Sequence, residues 1–279
     1  MSAPDNAPDN APDNAKTRCV LLHYHFFKNA GTTIEEILAR SFGHFARLDN
    51  ADPDRPISNT ELLEFLERNP RIEAVSSHHI HYPMPGAKGF LFFDICVLRD
   101  PLERVRSMYD YFREKPFPGY ALSDLANRTG PGEFLAELVE RAPFHVNDVQ
   151  VNLAANGEWD HPPGEDDLER ATRRMLTASF LGVVDRLAES LVAAEYALRP
   201  VFPTLDCAQP AANVSPRPRL PLEEICDPSI YRRLRELNRL DTELLERARA
   251  EAMRRFEVTP DAEGRLRLLE ERIAYQDLV

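Results

Sequence analysis

A single α/β domain, built on a mostly parallel sheet with helices on both faces, is what this sequence predicts, and three observations predict it. The stretches CVLLHYHFFKNAGTTIEEIL at 19–38 and GFLFFDICVLRDPLERVRSMYDYF at 89–112 each run from an apolar strand through a short polar loop into a helical pattern. Strand-like and helix-like segments alternate along much of the chain, the order that pairs strands in parallel and uses helices as crossovers. A chain of 279 residues with 43% hydrophobic content can also bury one substantial core. In such folds ligands collect at the carboxyl ends of the strands.

The elements follow in order. Residues 1–15 hold three copies of Ala-Pro-Asp-Asn, a polar, proline-rich repeat expected to be a disordered tail. The main domain is expected over 16–257, with 258–279 as a C-terminal tail or helix. After the first strand, Lys28, Asn29, Ala30, Gly31, Thr32 and Thr33 form a loop suited to phosphate. Gly31 permits a tight turn, the threonines bring hydroxyls and amides to a helix N-terminus, and Lys28 can reach back to an anion held there. The helix over 32–42 stops at Gly43, and Ser-Asn-Thr-Glu opens a capped helix at 58–68. A short strand is expected at 72–77.

In the second motif Asp100 is a natural N-cap and Pro101 fits the first helical position. Val105, Met108, Tyr109 and Phe112 make the buried stripe, which leaves Arg99, Arg104 and Ser107 off the core. Arg99 and Ser107 can together grip a second phosphate, since guanidinium binds phosphate as a bidentate fork. The alternative is ion pairing of Arg99 and Arg104 with Asp100 and Glu103. Residues 114–131, rich in Pro, Gly and aromatics, read as a mobile or substrate-facing loop. Helices are expected at 131–140 and 166–178, a strand at 180–184, a helix to Leu198, and a proline-rich loop over 200–221. One long helix from Pro228 to about Phe256 carries a core stripe of Leu234, Leu237, Leu244, Leu245 and Ala248.

The two phosphate-suited motifs together resemble the sulfotransferases that use 3′-phosphoadenosine 5′-phosphosulfate. HFFKNAGTT is similar to their 5′-phosphosulfate loop and VLRDPLERVRS to their 3′-phosphate motif, in the form closest to the carbohydrate-type branch that includes heparan sulfate 2-O-sulfotransferase. The resemblance implies a P-loop-like sulfotransferase fold and transfer of a sulfuryl group to a hydroxyl, on a carbohydrate or glycosylated small molecule. SSHHIHYP at 76–83 lies where the family places a catalytic histidine segment, so His78, His79 and His81 are the candidate bases. The implied cofactor residues are Lys28 through Thr33, Arg99, Ser107 and, from NVSPRP at 213–218, Arg217, whose alternative is an exposed loop arginine. Asn147, Gln150 and Asn152 resemble a substrate-side amide cluster; a hydrogen-bonded turn is the other reading. The chain departs from the usual Pro-Lys-Thr pattern at Phe27 and Asn29, and has Ser77 where glycine is usual.

The chemistry accounts for these residue types. In-line transfer needs aligned oxygens, stabilised charge on the leaving phosphate and a proton acceptor, and a neutral histidine suits the last role. The scheme needs no metal, and the histidines lack partners at a familiar zinc spacing. The loop also differs from the nucleotide-triphosphate pattern Gly-x-x-x-x-Gly-Lys-Ser/Thr, because its lysine comes three residues before its only glycine. A P-loop small-molecule kinase and a catalytically silent nucleotide-binding protein stay open as alternatives. The net charge of −12 disfavours nucleic acid as a partner. Four widely spaced cysteines fit a reducing compartment, and no signal-peptide or membrane-span pattern is evident, so a cytoplasmic location is expected.

Overall fold

The computed structural model describes residues 17–52, 55–157, 161–210 and 220–276. The 1–15 repeat, apart from which the domain was expected to begin, and Arg217 lie outside them.

Five strands form one sheet, all parallel: β1 Arg18–Tyr24, β2 Phe45–Arg47, β3 Ala74–Ser77, β4 Phe90–Leu98 and β5 Phe180–Val183, in the order β2-β3-β1-β4-β5. Both faces of β1 and β4 are apolar, so alternation sorts residues to two cores rather than to core and solvent. Val20, Leu22 and Tyr24 of β1 join Phe92, Cys96 and Leu98 of β4 on one face. Leu21, Ile95 and Val97 join the other.

Helices α2 (Asn59–Arg68), α6 (Val149–Ala155), α7 (Glu165–Thr177) and α11 (Arg239–Glu257) supply buried residues to the first core. Helices α1 (Gly31–Ser41), α8 (Leu187–Leu198) and α12 (Ala262–Gln276) cover the second. A third cluster gathers α3 (Pro101–Glu114), α4 (Ala121–Arg128), α5 (Pro131–Arg141) and α10 (Pro228–Leu237) beside the sheet, with Phe27 of the first loop packed against it. A four-residue helix, α9, covers Leu222–Ile225.

The local signals act as their chemistry requires. Ser58 and Glu61 close a reciprocal capping box on α2. Asp100 accepts from the Glu103 amide ahead of Pro101 on α3. Cys19 and Cys96 lie on the adjacent strands β1 and β4, and all four cysteines are free.

The structure corrects three expectations. The long C-terminal helix is two, broken at Asn238, whose side-chain amide donates to Leu234 O and whose backbone leaves helical geometry. The 114–131 stretch contains α4, which buries Leu122, Leu125 and Ala126 on one side. Arg104 and Ser107 are not off the core: they are 3% and 6% exposed, on the side of α3 that packs inward. Residues 262–276 are a helix whose Leu269 is fully buried.

Candidate functional site

After β1 the connection runs to β2 on one side of the sheet, and after β4 it runs to β5 on the other. These two strands are neighbours, so the topological switch point, and the crevice it creates, lies at their carboxyl ends. The loops leaving them carry the two phosphate-suited motifs.

The first loop folds back tightly, with the Phe26 amide donating to Tyr24 O and the Asn29 amide to Phe26 O. Lys28 and Ala30 take positive φ, 68° and 58°, a conformation that costs a residue with a Cβ roughly 1–2 kcal/mol. That turn starts α1 at Gly31 with no side chain capping its first turn. The helix therefore presents backbone N–H groups and the positive end of its dipole at the crevice. A Cβ at Gly31 would fall 1.8 Å from His25 Nε2, so only glycine fits beneath that imidazole. Thr32 is exposed and Thr33 buried. The Lys28 ammonium lies over the Tyr111 ring of α3, 4.4 Å from its centroid.

The second loop is bonded to the first. Arg99 Nη1 donates to Lys28 O at 3.0 Å, and its Nη2 lies 3.8 Å from Glu103. Asn29 Nδ2 donates to Val97 O of β4 at 2.8 Å and to Gln150 Oε1 at 2.7 Å. Gln150 Oε1 also accepts from the Arg99 amide at 2.9 Å, and its Nε2 donates to Arg99 O at 2.9 Å. Ser107 follows on α3, 6% exposed.

Of the three candidate bases, one stands at the loop. His78, just past β3, lies against His25 with centroids 3.8 Å apart and ring planes tilted by 31°. Its Nδ1 lies 2.7 Å from His25 O. A carbonyl only accepts, so Nδ1 carries the proton and Nε2 keeps its lone pair. Desolvation by the surrounding protein, followed by the neighbouring His25 imidazole, pulls the His78 pKa down to about 4, which leaves the ring neutral at pH 7. His79 turns instead to Asp49 and Asn50, and His81 packs against Gly157.

Beside His78 is a further polar cluster. His25 Nδ1 donates to Glu35 Oε1 at 3.1 Å, Ser76 Oγ donates to the same oxygen, and Arg47 Nε donates to Oε2. His23 Nδ1 bonds Ser76 Oγ at 2.9 Å. These donors hold the Glu35 carboxyl down at about 2 against the upward pull of its own burial. His23 lies on β1 and His25 directly follows it, while Glu35 reaches them from α1.

The amide cluster divides. Asn147 is half-buried at the turn before α6, while Gln150 and Asn152 are 1% and 3% exposed. The polar atoms of Gln150 are engaged inside the protein, between the two loops. Behind it, Asp241 accepts from the Gln150 and Val151 amides at 3.1 and 2.8 Å, and the Asp241 amide donates to Asp148 Oδ1. Burial and the nearby Asp241 push the Asp148 carboxyl up to about 7. Arg104 donates to His145 O, and its charge opposes the rise that burial imposes on Asp241.

No protein-family model matches the chain. An Archaeoglobus fulgidus protein described only as uncharacterized is similar to it, 27% identical over 247 residues, which cover 82% of this chain and 96% of that protein. The similarity thus runs through nearly all of the archaeal protein rather than through one motif. Function has to be argued from the crevice itself.

Proposed function

We propose that this protein is a sulfotransferase that moves a sulfuryl group from 3′-phosphoadenosine 5′-phosphosulfate to a hydroxyl, on a carbohydrate or a glycosylated small molecule. One observation carries the reading. Two anion-suited loops, one with an uncapped helix N-terminus and Lys28, the other with Arg99, leave adjacent strands and are bonded to each other, with a neutral histidine over the first. A ligand with phosphates on both sides of one ribose fits that donor set.

The bound cosubstrate would supply the sulfuryl group. The amides of residues 30–33 hold the 5′-phosphate, and the Lys28 ammonium stabilises charge as it develops on the leaving oxygen. Arg99, with Ser107 on the following helix, holds the 3′-phosphate. His78 Nε2 takes the acceptor's proton, while its Nδ1–H stays anchored on His25 O so that the ring cannot turn away. Arg217 is proposed to complete the 3′-phosphate site, and Asn147 to contact the acceptor.

Calorimetry in EDTA tests the cosubstrate, with adenosine 3′,5′-bisphosphate and ADP titrated in parallel. The expected result is preferential, metal-independent binding of the bisphosphate, with the preference lost in Arg99→Ala. ADP binding that appears only with magnesium would turn the reading to a kinase. His78→Ala should retain bisphosphate binding and lose transfer by on the order of 10²–10⁴. Full transfer in that variant would remove His78 from the mechanism.

A further inference from the structure

Gln150 has the geometry of a spacer between the two loops. Its single side-chain amide makes four hydrogen bonds: Oε1 accepts from Asn29 Nδ2 and from the Arg99 backbone amide, and Nε2 donates to Arg99 O and, at 3.4 Å, to Asp241 Oδ2. Both polar atoms are used, one partner lies in each loop, and the residue is 1% exposed, so it meets no ligand directly. It is itself held from behind. Asp241, wholly buried, accepts from the Gln150 backbone amide and the next amide at the start of α6. Asp148 holds the Asp241 amide in turn, and the Asp148 amide donates to Leu237 O beside the Asn238 break. The break between α10 and α11 is what delivers Asp241 to this position.

We propose that Gln150, held by Asp241, is a positioning residue that sets the distance between the phosphate loop and the Arg99 loop, and so the preference for a ligand bearing two phosphates. The inference rests on the proposed bisphosphate site. A side chain with one acceptor and one donor end is what the contacts demand. A carboxylate would face Arg99 O with no proton to give, and a hydrocarbon would strand the Arg99 N–H in the interior. Each phosphate alone can be held by its own loop, but both together are held only if the loops keep their spacing. Loosening the spacer therefore weakens two-point binding more than one-point binding.

The test compares adenosine 3′,5′-bisphosphate with adenosine 5′-monophosphate by calorimetry in the wild type, Gln150→Leu and Gln150→Asn. Leu269→Ala, a core change on α12 far along the sequence from either loop, serves as a destabilised control, and thermal unfolding is followed for all four. The wild type should prefer the bisphosphate. In the Gln150 variants that preference should fall by about tenfold, the size of one lost buried hydrogen bond, with monophosphate affinity nearly unchanged. Leu269→Ala should lose stability and keep the preference. An unchanged preference in a folded Gln150 variant overturns the proposal, as does an equal fall in Leu269→Ala, and failure of both Gln150 variants to fold would reassign the residue to the fold alone. A wild type with no preference overturns the bisphosphate site itself, an outcome read before any variant is made.

Discussion

Two adjacent residues in the first loop respond in opposite directions to exchange between glycine and alanine. Ala30 sits at φ 58°, so Ala30→Gly relieves a left-handed conformation and should raise stability by about 1 kcal/mol in denaturant unfolding. Gly31→Ala places a methyl group on the His25 imidazole, which must swing off Glu35 to admit it, and should cost roughly 1–3 kcal/mol. A gain at Gly31 or a loss at Ala30 would show the loop geometry to be wrong. At Asp148 the sign of a pH effect follows from its raised pKa. The folded carboxyl titrates near 7 against an ordinary 3.8, so protonation favours the folded state, and its contribution fades as pH rises from about 4 through 7. Asp148→Asn keeps the oxygen that accepts from Asp241 and removes the titration. The melting temperature of the variant relative to wild type should therefore be higher at pH 8 than at pH 5, and the reverse order would contradict the burial of this carboxyl. His78, with its pKa lowered, works the other way: it favours folding above pH 6.5 and loses that contribution as pH falls through about 4.

Among the elements, the break at Asn238 lets one carboxylate serve two helices. Asp241 lies in the first turn of α11 and caps α6. Asp241→Ala removes that cap and leaves Arg104 buried without the opposing charge, which should cost about 3 kcal/mol in equilibrium unfolding. A cost under about 1 kcal/mol, typical of a surface site, would mean that the two charges do not depend on each other. The elements that sequence made legible are those whose instructions are local. Asp100-Pro101 starts α3 with a side chain and a ring that act within one turn, and Ser58 with Glu61 does the same for α2. The Asn238 break was hidden because its cause is not local: Leu234, Leu237, Leu244 and Leu245 continue the apolar stripe across it. Helix α4 was masked by the prolines and glycine that flank it. The placing of Lys28, Gly31 and Arg99 at the ends of two strands could be read from their loops, but the contacts of Gln150 could not, since it meets Asn29 across 121 residues and Arg99 across 51.

At the scale of the molecule, the chain is acidic, with net charge −12, yet the Lys28 and Lys115 ammonium groups share the Tyr111 ring, 4.4 and 5.8 Å from its centroid, so a local cationic spot stands on an acidic protein. Among the described residues no helix is long and apolar enough to cross a membrane. The sheet adds a final consequence. β1 is paired on both sides and buried on both faces, whereas β2 at one edge has three residues and β5 at the other has four. The loop that begins at His25 thus grows directly from an internal strand with little freedom to open. In deuterium exchange, amides over 20–24 should be among the slowest to label, with protection falling steeply within the few residues that follow. Such a step would mean that the loop can loosen and tighten without any unzipping of the strand that carries it, so that motion at the loop need not disturb the fold.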